Sequence, residues 1–277
     1  MKGPLANESE AYSRARVELL EAEIALRDQC ERVAALRRKL PAETEVEDYV
    51  LEEGPEDLEK DGPFAKVRLS GLFADSAKPL VVYQYMYGGA QKKPCPMCTL
   101  WIDGFNGVAH HLRQRVNFAI IAQVGIGELR EWGRQRGWHK LRLVSSAGSN
   151  FKTDLHYQDA DGSQQPGISV FVRSPNGSVK HYYSNCAIMK EKINRGIVLL
   201  SPVWNIFDLT PAGRGDWNAK LNYEWALVLY WSCRADALVR AGPPGPASNA
   251  DEGARPTFVR MMTLQSCDDQ RRCGRRL

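Results

Sequence analysis

Two cysteines with two residues between them, Cys95-Pro96-Met97-Cys98, are the residues of this chain best suited to chemistry. Thiols at this spacing can close into a disulfide and reopen, exchanging two electrons with a second disulfide. The attacking species is a thiolate, and a free cysteine is mostly protonated at neutral pH. The surrounding residues supply what would change that. Residues 80–87 are apolar, β-branched and aromatic, which predicts a buried strand. Gly88-Gly89 end it. Leu100, Trp101, Phe105, Val108 and Leu112 follow at spacings near three and four, as in a helix with one face on a core. The dithiol therefore falls at a helix start, where unpaired N–H groups and the macrodipole stabilise an anion. Pro96 suits the first helical turn, where no N–H is required, and Lys92 and Lys93 add positive charge. Two other readings of the pair stay open. The cysteines could be buried and structural, or half of a zinc site. Zinc needs two more ligands, and the chain offers no second C-x-x-C and only His110 and His111, more than a turn away.

The elements that must position the pair follow from periodicity. Residues 11–40 form a helix, with Leu19, Leu26, Val33 and Leu40 seven apart and Pro41 as the stop. Glu23 and Arg37 interrupt the alternate seam, so the expectation is a helix laid on its own domain, with a homodimer through this helix as the alternative. Residues 49–53 and 65–69 are short strands around an acidic turn, 54–62. After the central helix come a buried strand at 116–122, a helix over 126–137 ended by Gly137, and a brief strand at 141–145. A polar loop spans 146–165, and a hairpin, 167–173 with 178–184, turns at Pro175-Asn176-Gly177. Strands alternating with helices argue for parallel pairing, and the hairpin for an antiparallel edge. The expected fold class is α/β, a central mixed sheet flanked by helices. Residues 190–200 and 221–238 are expected helices, and 204–216 a loop. Residues 241–256, with Gly-Pro-Pro-Gly-Pro, form a linker or disordered tail. The chain so divides into an N-terminal helical extension, 1–41, a domain at 42–238 and a flexible tail, 239–277.

Composition narrows the function classes. Of 277 residues, 43% are hydrophobic and 25% charged, as in ordinary soluble proteins. No apolar run approaches eighteen residues, so no membrane span is expected, and the first residues lack the apolar core of a signal peptide. Seven cysteines, scattered except for the one pair, favour a reducing cytoplasm over a disulfide framework. Charge is uneven: net −7 over residues 1–60, +8 over 61–233 and +3 over 234–277. The acidic lead can pack on the basic body. No nucleic-acid motif accompanies the basic stretch, so no nucleic-acid partner is expected.

Several motifs in order resemble a largely bacterial thioredoxin-like family known only as a domain of unknown function. The likeness runs from about residue 12 to about 223. It rests on Leu36-Arg37-Arg38-Lys39-Leu40-Pro41 closing the first helix, Tyr83 to Gly88, and Cys95-Pro96-Met97-Cys98 with Trp101, Asp103, Phe105, Asn106 and Gly107. It continues through Gly137-Trp138, Ser145 to Phe151 with Asp154, Pro166 to Phe171, and Asp208-Leu209-Thr210-Pro211 with Gly213-Arg214. The chain departs from the family where Gln123-Val124-Gly125-Ile126 replaces a Ser-Arg-Ala-Pro-like run, and at Leu221-Asn222-Tyr223. The resemblance implies a thioredoxin-like fold and, by analogy, thiol–disulfide chemistry without a cofactor.

On that basis Cys95 is expected to attack a substrate disulfide and Cys98 to resolve the mixed disulfide. The substrate is a disulfide-containing protein or a small thiol compound. Pro166 and Trp101 are the candidate substrate-contacting residues. Pro166 sits where thioredoxin-like folds keep a cis-proline beside the dithiol, the plainer alternative being a trans proline that starts a strand. Trp101 belongs either to an interface or to the core. Thioredoxins carry a buried carboxylate on the entering strand, absent from 81–87, so proton transfer between the sulfurs falls to Asp103 or a water. A thiol peroxidase is the alternative enzyme. Peroxiredoxins need Thr or Ser three residues before the attacking Cys, and here Cys95 and Lys92 hold those places. A non-catalytic thioredoxin-like scaffold is the third reading.

Overall fold

The computed structural model describes residues 7–189 and 195–222. Chain contacts group Met1–Asn222 as one unit and Tyr223–Leu277 as another. All but the first two residues of the expected helix at 221–238, together with the tail and the boundary at 238, lie outside the described residues.

One eight-stranded mixed sheet forms the centre of the first unit. Its strands are β1 (Thr44–Glu45), β2 (Val50–Glu53), β3 (Ala65–Arg68), β4 (Leu80–Tyr85), β5 (Asn117–Ala122), β6 (Arg142–Ser145), β7 (Gly167–Arg173) and β8 (Val179–Cys186). They lie in the order β1-β8-β7-β4-β5-β6-β2-β3. β4, β5 and β6 run parallel, as crossover helices demand, and β7 pairs antiparallel with β4. The helices are α1 (Glu10–Arg38), α2 (Pro96–Leu112), α3 (Ile126–Arg136), α4 (Phe151–Asp154) and α5 (Pro202–Phe207). The dithiol helix α2 leaves the carboxyl end of β4, with β5 parallel on one side and the β7–β8 hairpin antiparallel on the other. This is the expected thioredoxin-like α/β architecture.

Alternation along β4 explains why the sheet is covered on both faces. Leu80 and Val82 point to a core with Leu51, Leu69, Leu72, Ile121, Val144, Phe151 and Phe171. Tyr83 and Tyr85 point to the other, with Cys98, Ile102, Phe105, Ile120, Leu129 and Trp138. Each fully buried large apolar side chain stabilises the fold by about 1.5–3 kcal/mol against exposure. Gly137, in the left-handed conformation, ends α3 as expected. Arg130 of α3 is buried and donates to the carbonyls of Pro55, Asp57, Leu58 and Lys60. The acidic turn is thus folded around the Arg130 guanidinium, with Arg134 adding a bond to the Leu58 carbonyl.

Four stretches differ from expectation. The bridge-sized β1 joins β8 through Thr44–His181 and Glu45–Lys180, too short to carry a period. The loop at 146–165 contains α4, and the one at 204–216 begins inside α5, which Ser201 caps by accepting from the Val203 N–H. Of the expected helix at 190–200, residues 190–194 lie outside the described set, and the remainder makes only a 3-10 turn, Val198–Leu200. Its backbone is engaged elsewhere: Gly196 donates to the Ala187 carbonyl and accepts from Asn185 Nδ2 at the end of β8.

Helix α1 is also a correction. It starts and stops as expected, yet none of its 29 residues is buried. It meets the sheet at its end, where the Tyr182 hydroxyl donates to the Arg37 carbonyl and the Arg37 guanidinium lies 5.1 Å from the centre of the Tyr183 ring. The helix is not laid on its own domain, and Leu19, Leu20, Ile24 and Leu26 remain exposed. No helix among the described residues is long and apolar enough to cross a membrane.

Candidate active site

The path from β4 to the dithiol is set by two glycines. Gly88 and Gly89 both take positive φ, which turns the chain back on itself, and Gly88 and Gln91 exchange both backbone hydrogen bonds. Cys95 returns to the strand end, its N–H donating to the Met86 carbonyl at 3.1 Å. It is the N-cap of α2, extended at φ −68° and ψ 123°, with Pro96 in the first turn. Thr99 closes that turn. Its hydroxyl donates to the Cys95 carbonyl at 2.9 Å and meets the Tyr85 hydroxyl at 2.9 Å.

Both cysteines are free thiols in very different surroundings. Cys95 is half-buried and Cys98 fully buried. The Cys98 thiol, donating to the Cys95 sulfur, is the main reason the Cys95 pKa is pulled down to about 6. Partial burial opposes this, and the Cys98 and Met97 N–H groups lower it further. Lys92 and Lys93, both exposed, are not among the groups that set this value, so the charge expected from them is a correction; water screens them. Burial pushes the Cys98 thiol well above its ordinary value, and its bond to Cys95 adds to that. Tyr83, wholly buried on the neighbouring strand, brings its hydroxyl close enough to favour a Cys98 thiolate, but outside hydrogen-bond geometry to any group among the described residues. One thiolate at the surface with a protonated thiol behind it can attack a disulfide and then resolve the product.

The model of the family described as "Bacterial protein of unknown function (DUF899)" matches residues 1–230. The chain belongs to this family. No curated protein matches it in sequence. Similar solved structures include the mitochondrial 2-Cys peroxiredoxin from Plasmodium falciparum, at 14% identity and TM-score 0.38, over 60% of this chain and 94% of that one. Reduced Prx3 in complex with H2O2 from Vibrio vulnificus matches at 16% identity and TM-score 0.39, over 58% and 97%. Mycobacterium tuberculosis AhpC matches at 15% and 0.38, over 58% and 90%. Likeness at this level says nothing of chemistry.

The other residues singled out in this DUF899 chain fare differently. Trp101 does not face a substrate. It is buried, and its Nε1–H donates to the Ile197 carbonyl at 3.3 Å, fastening 195–200 over α2. Pro166 is half-buried just before β7, whose first residue Gly167 pairs with Gln84 next to the β4 end. Its peptide bond is trans, as are all those described, against the cis-proline expectation. The Pro166 carbonyl accepts from the Ala187 N–H and so continues the β7–β8 ladder, which an extended trans residue does without strain. Asp103 is engaged away from the sulfurs, accepting from Trp138 Nε1 at 2.8 Å and from Arg136. It anchors α2 to α3. His110 and His111 are both exposed at the far end of α2, their rings 3.9 Å apart. Among the described residues no three His, Cys, Asp or Glu side chains converge on a metal position.

One residue near the dithiol escaped the sequence reading. Lys152 of α4, in the stretch taken for a polar loop, is fully buried, and its ammonium nitrogen reaches the Tyr85 carbonyl and Gln164 Oε1. The only signal was its place inside a family motif, between Phe151 and Asp154. A cavity of about 600 Å³ lined by Glu53, Lys78, Arg113, Asn117 and Arg142 lies at the opposite end of the parallel strands and includes neither cysteine.

Proposed function

We propose that this chain is a thiol–disulfide oxidoreductase, with Cys95 attacking a substrate disulfide and Cys98 resolving the mixed disulfide. The observation that carries the reading is the asymmetry of the pair. Cys95 caps a helix and is held down to about 6, while Cys98 is buried directly behind it and held up. A thiol with a pKa near ambient pH is the better attacking nucleophile, because it combines a large thiolate fraction with retained nucleophilicity. The two electrons reside in the dithiol, so the cycle calls for an external thiol reductant and no bound cofactor. Pro166, beside the β4 end, borders the substrate. Substrates are disulfide-containing proteins or small disulfides.

The test is alkylation against pH together with turnover. Cys95 is expected to react with iodoacetamide with a midpoint near pH 6, about three units below an unperturbed thiol at 9, and the chain to reduce insulin disulfides. A midpoint near 9 with no insulin reduction would sink the reading. Peroxide consumption in its place would establish the peroxidase alternative.

A second copy of the chain is the proposed partner of α1. Leu19 and Leu26 form an exposed seam seven residues apart. Residues 10–26 carry net −2 and 27–38 net +2, so an antiparallel pair sets opposite charges against each other. Sedimentation equilibrium is expected to give twice the chain mass, and Leu19→Glu with Leu26→Glu to return it to one. A wild-type monomer at micromolar concentration overturns this.

A further inference from the structure

Lys152 is built into the end of the strand that feeds the dithiol. Its nitrogen is bonded to the Tyr85 carbonyl and to Gln164 Oε1, and Gln164 is itself fixed, its amide donating to the Gly88 carbonyl at 2.7 Å and to Gln123 Oε1 at 3.2 Å. Both acceptors of Lys152 are neutral. An ammonium has three N–H groups to satisfy, whereas a neutral amine has two and a lone pair. Two fixed acceptors at a buried nitrogen match the amine and leave the lone pair free to take a proton.

The charged and titratable groups around it support this. From α2, the Cys98 sulfur takes the Met86 N–H, the other side of the same peptide unit whose Tyr85 carbonyl Lys152 holds, so the two groups flank one peptide and the Cys98 charge acts on Lys152. From β4, the Tyr85 phenol is turned to Thr99 and the Tyr83 phenol lies towards Cys98. On α4 itself, Asp154 accepts from the Tyr49 hydroxyl. Gln164 and Gln123 are neutral. The groups bonded to Lys152 include no carboxylate, and burial brings its pKa down to about 7, against a smaller upward pull from Cys98. A buried lysine tuned towards neutrality is a proton acceptor at working pH.

We propose that Lys152, through one water bridging the two groups across the Tyr85–Met86 peptide, accepts the proton of the Cys98 thiol when the mixed disulfide is resolved. This rests on the oxidoreductase reading above. Cys98 S–H and the Lys152 amine become Cys98 S⁻ and the Lys152 ammonium. The thiolate attacks Cys95 Sγ, the Cys95–Cys98 bond forms, and the bond from Cys95 to the substrate sulfur breaks. The substrate leaves as a thiolate and is protonated as Lys152 returns to the amine. The substrate disulfide gains two electrons and the dithiol loses two. Lys152 does the task that thioredoxins give to a carboxylate on the strand, while Asp103 is engaged by Arg136 and Trp138.

The experiment uses the full chain with Cys30, Cys186, Cys233, Cys267 and Cys273 replaced by serine, treated with 5,5′-dithiobis(2-nitrobenzoate). Attack by Cys95 releases one coloured thiolate, and resolution by Cys98 releases a second. In the chain with Lys152 the second rate is expected to rise with pH and level off above about pH 7. Lys152→Met should leave the first release within about twofold and slow the second about a hundredfold near pH 7.5. Its second rate should keep rising about tenfold per pH unit with no plateau. Lys152→Arg, which stays charged and accepts no proton, should not rescue it. An unchanged second rate and profile in Lys152→Met overturns the proposal. If the variants do not fold, the Lys152 chain decides alone, since a second rate still rising tenfold per unit from pH 7 to 9 overturns it as well. Absence of the first release in that chain overturns the oxidoreductase reading, and this proposal with it.

Discussion

Cys98→Ser is expected to yield a chain that captures its substrate and keeps it. Cys95 retains its place at the head of α2, with the Met97 and residue-98 N–H groups still directed at its sulfur, so it still attacks. The serine hydroxyl cannot displace the substrate sulfur, and the mixed disulfide persists. Turnover should fall at least about 10³-fold, as when one member of a concerted pair is lost, while a non-reducing gel shows a band that dithiothreitol removes. Cys95→Ser should lose as much activity and trap almost nothing, because the remaining thiol is buried and its pKa is raised. Equal trapping by the two variants would mean that the pair lacks the division of labour inferred from its surroundings. No trapping by either would point to a structural pair.

Gly88→Ala should cost the fold at least about 3 kcal/mol. Gly88 has φ +93°, and a Cβ there would come within 2.1 Å of the Val124 nitrogen and 2.5 Å of the Gln123 carbonyl carbon. These are backbone atoms. The Gln123 and Val124 N–H groups both donate to the Tyr87 carbonyl at 3.0 Å, so the neighbour cannot move aside without breaking the junction of β4 and β5. Overpacking costs about 1–3 kcal/mol or more, and left-handed backbone at a residue with a Cβ adds about 1–2. Against a total of about 5–15 kcal/mol this is a large share. Urea unfolding measures it. A midpoint within experimental error of wild type would show that this turn is not the fixed point described above.

The parts legible beforehand are those with a period. Residues 80–87 are an apolar, β-branched and aromatic run, and the spacing of Trp101, Phe105 and Leu112 is helical, so strand, dithiol and helix could be placed to within a residue or two. Family motifs placed the same elements in order. What could not be read depends on three-dimensional neighbours. Trp101 has the same sequence surroundings whether it faces solvent or the Ile197 carbonyl. Asp103 looks well placed on the dithiol helix until Arg136 and Trp138 arrive from α3. Lys152 is the sharpest case, because a lysine in a polar loop is ordinarily solvated. Only the return of 146–165 over the end of β4 buries it. The same holds for α1, where a heptad predicts a covered stripe without saying what covers it.

Among the described residues the sheet ends on one side at β3, four residues long, which carries exposed Lys66 and Arg68. On the other side β1 covers only Lys180 and His181 of the eight residues of β8. A short, charged edge such as β3 gives another chain no flat ladder to extend. Proteins that expose disulfides are often partly unfolded, with sticky strands of their own. If the oxidoreductase reading holds, the β3 side of the molecule meets such clients without offering them a ladder to extend.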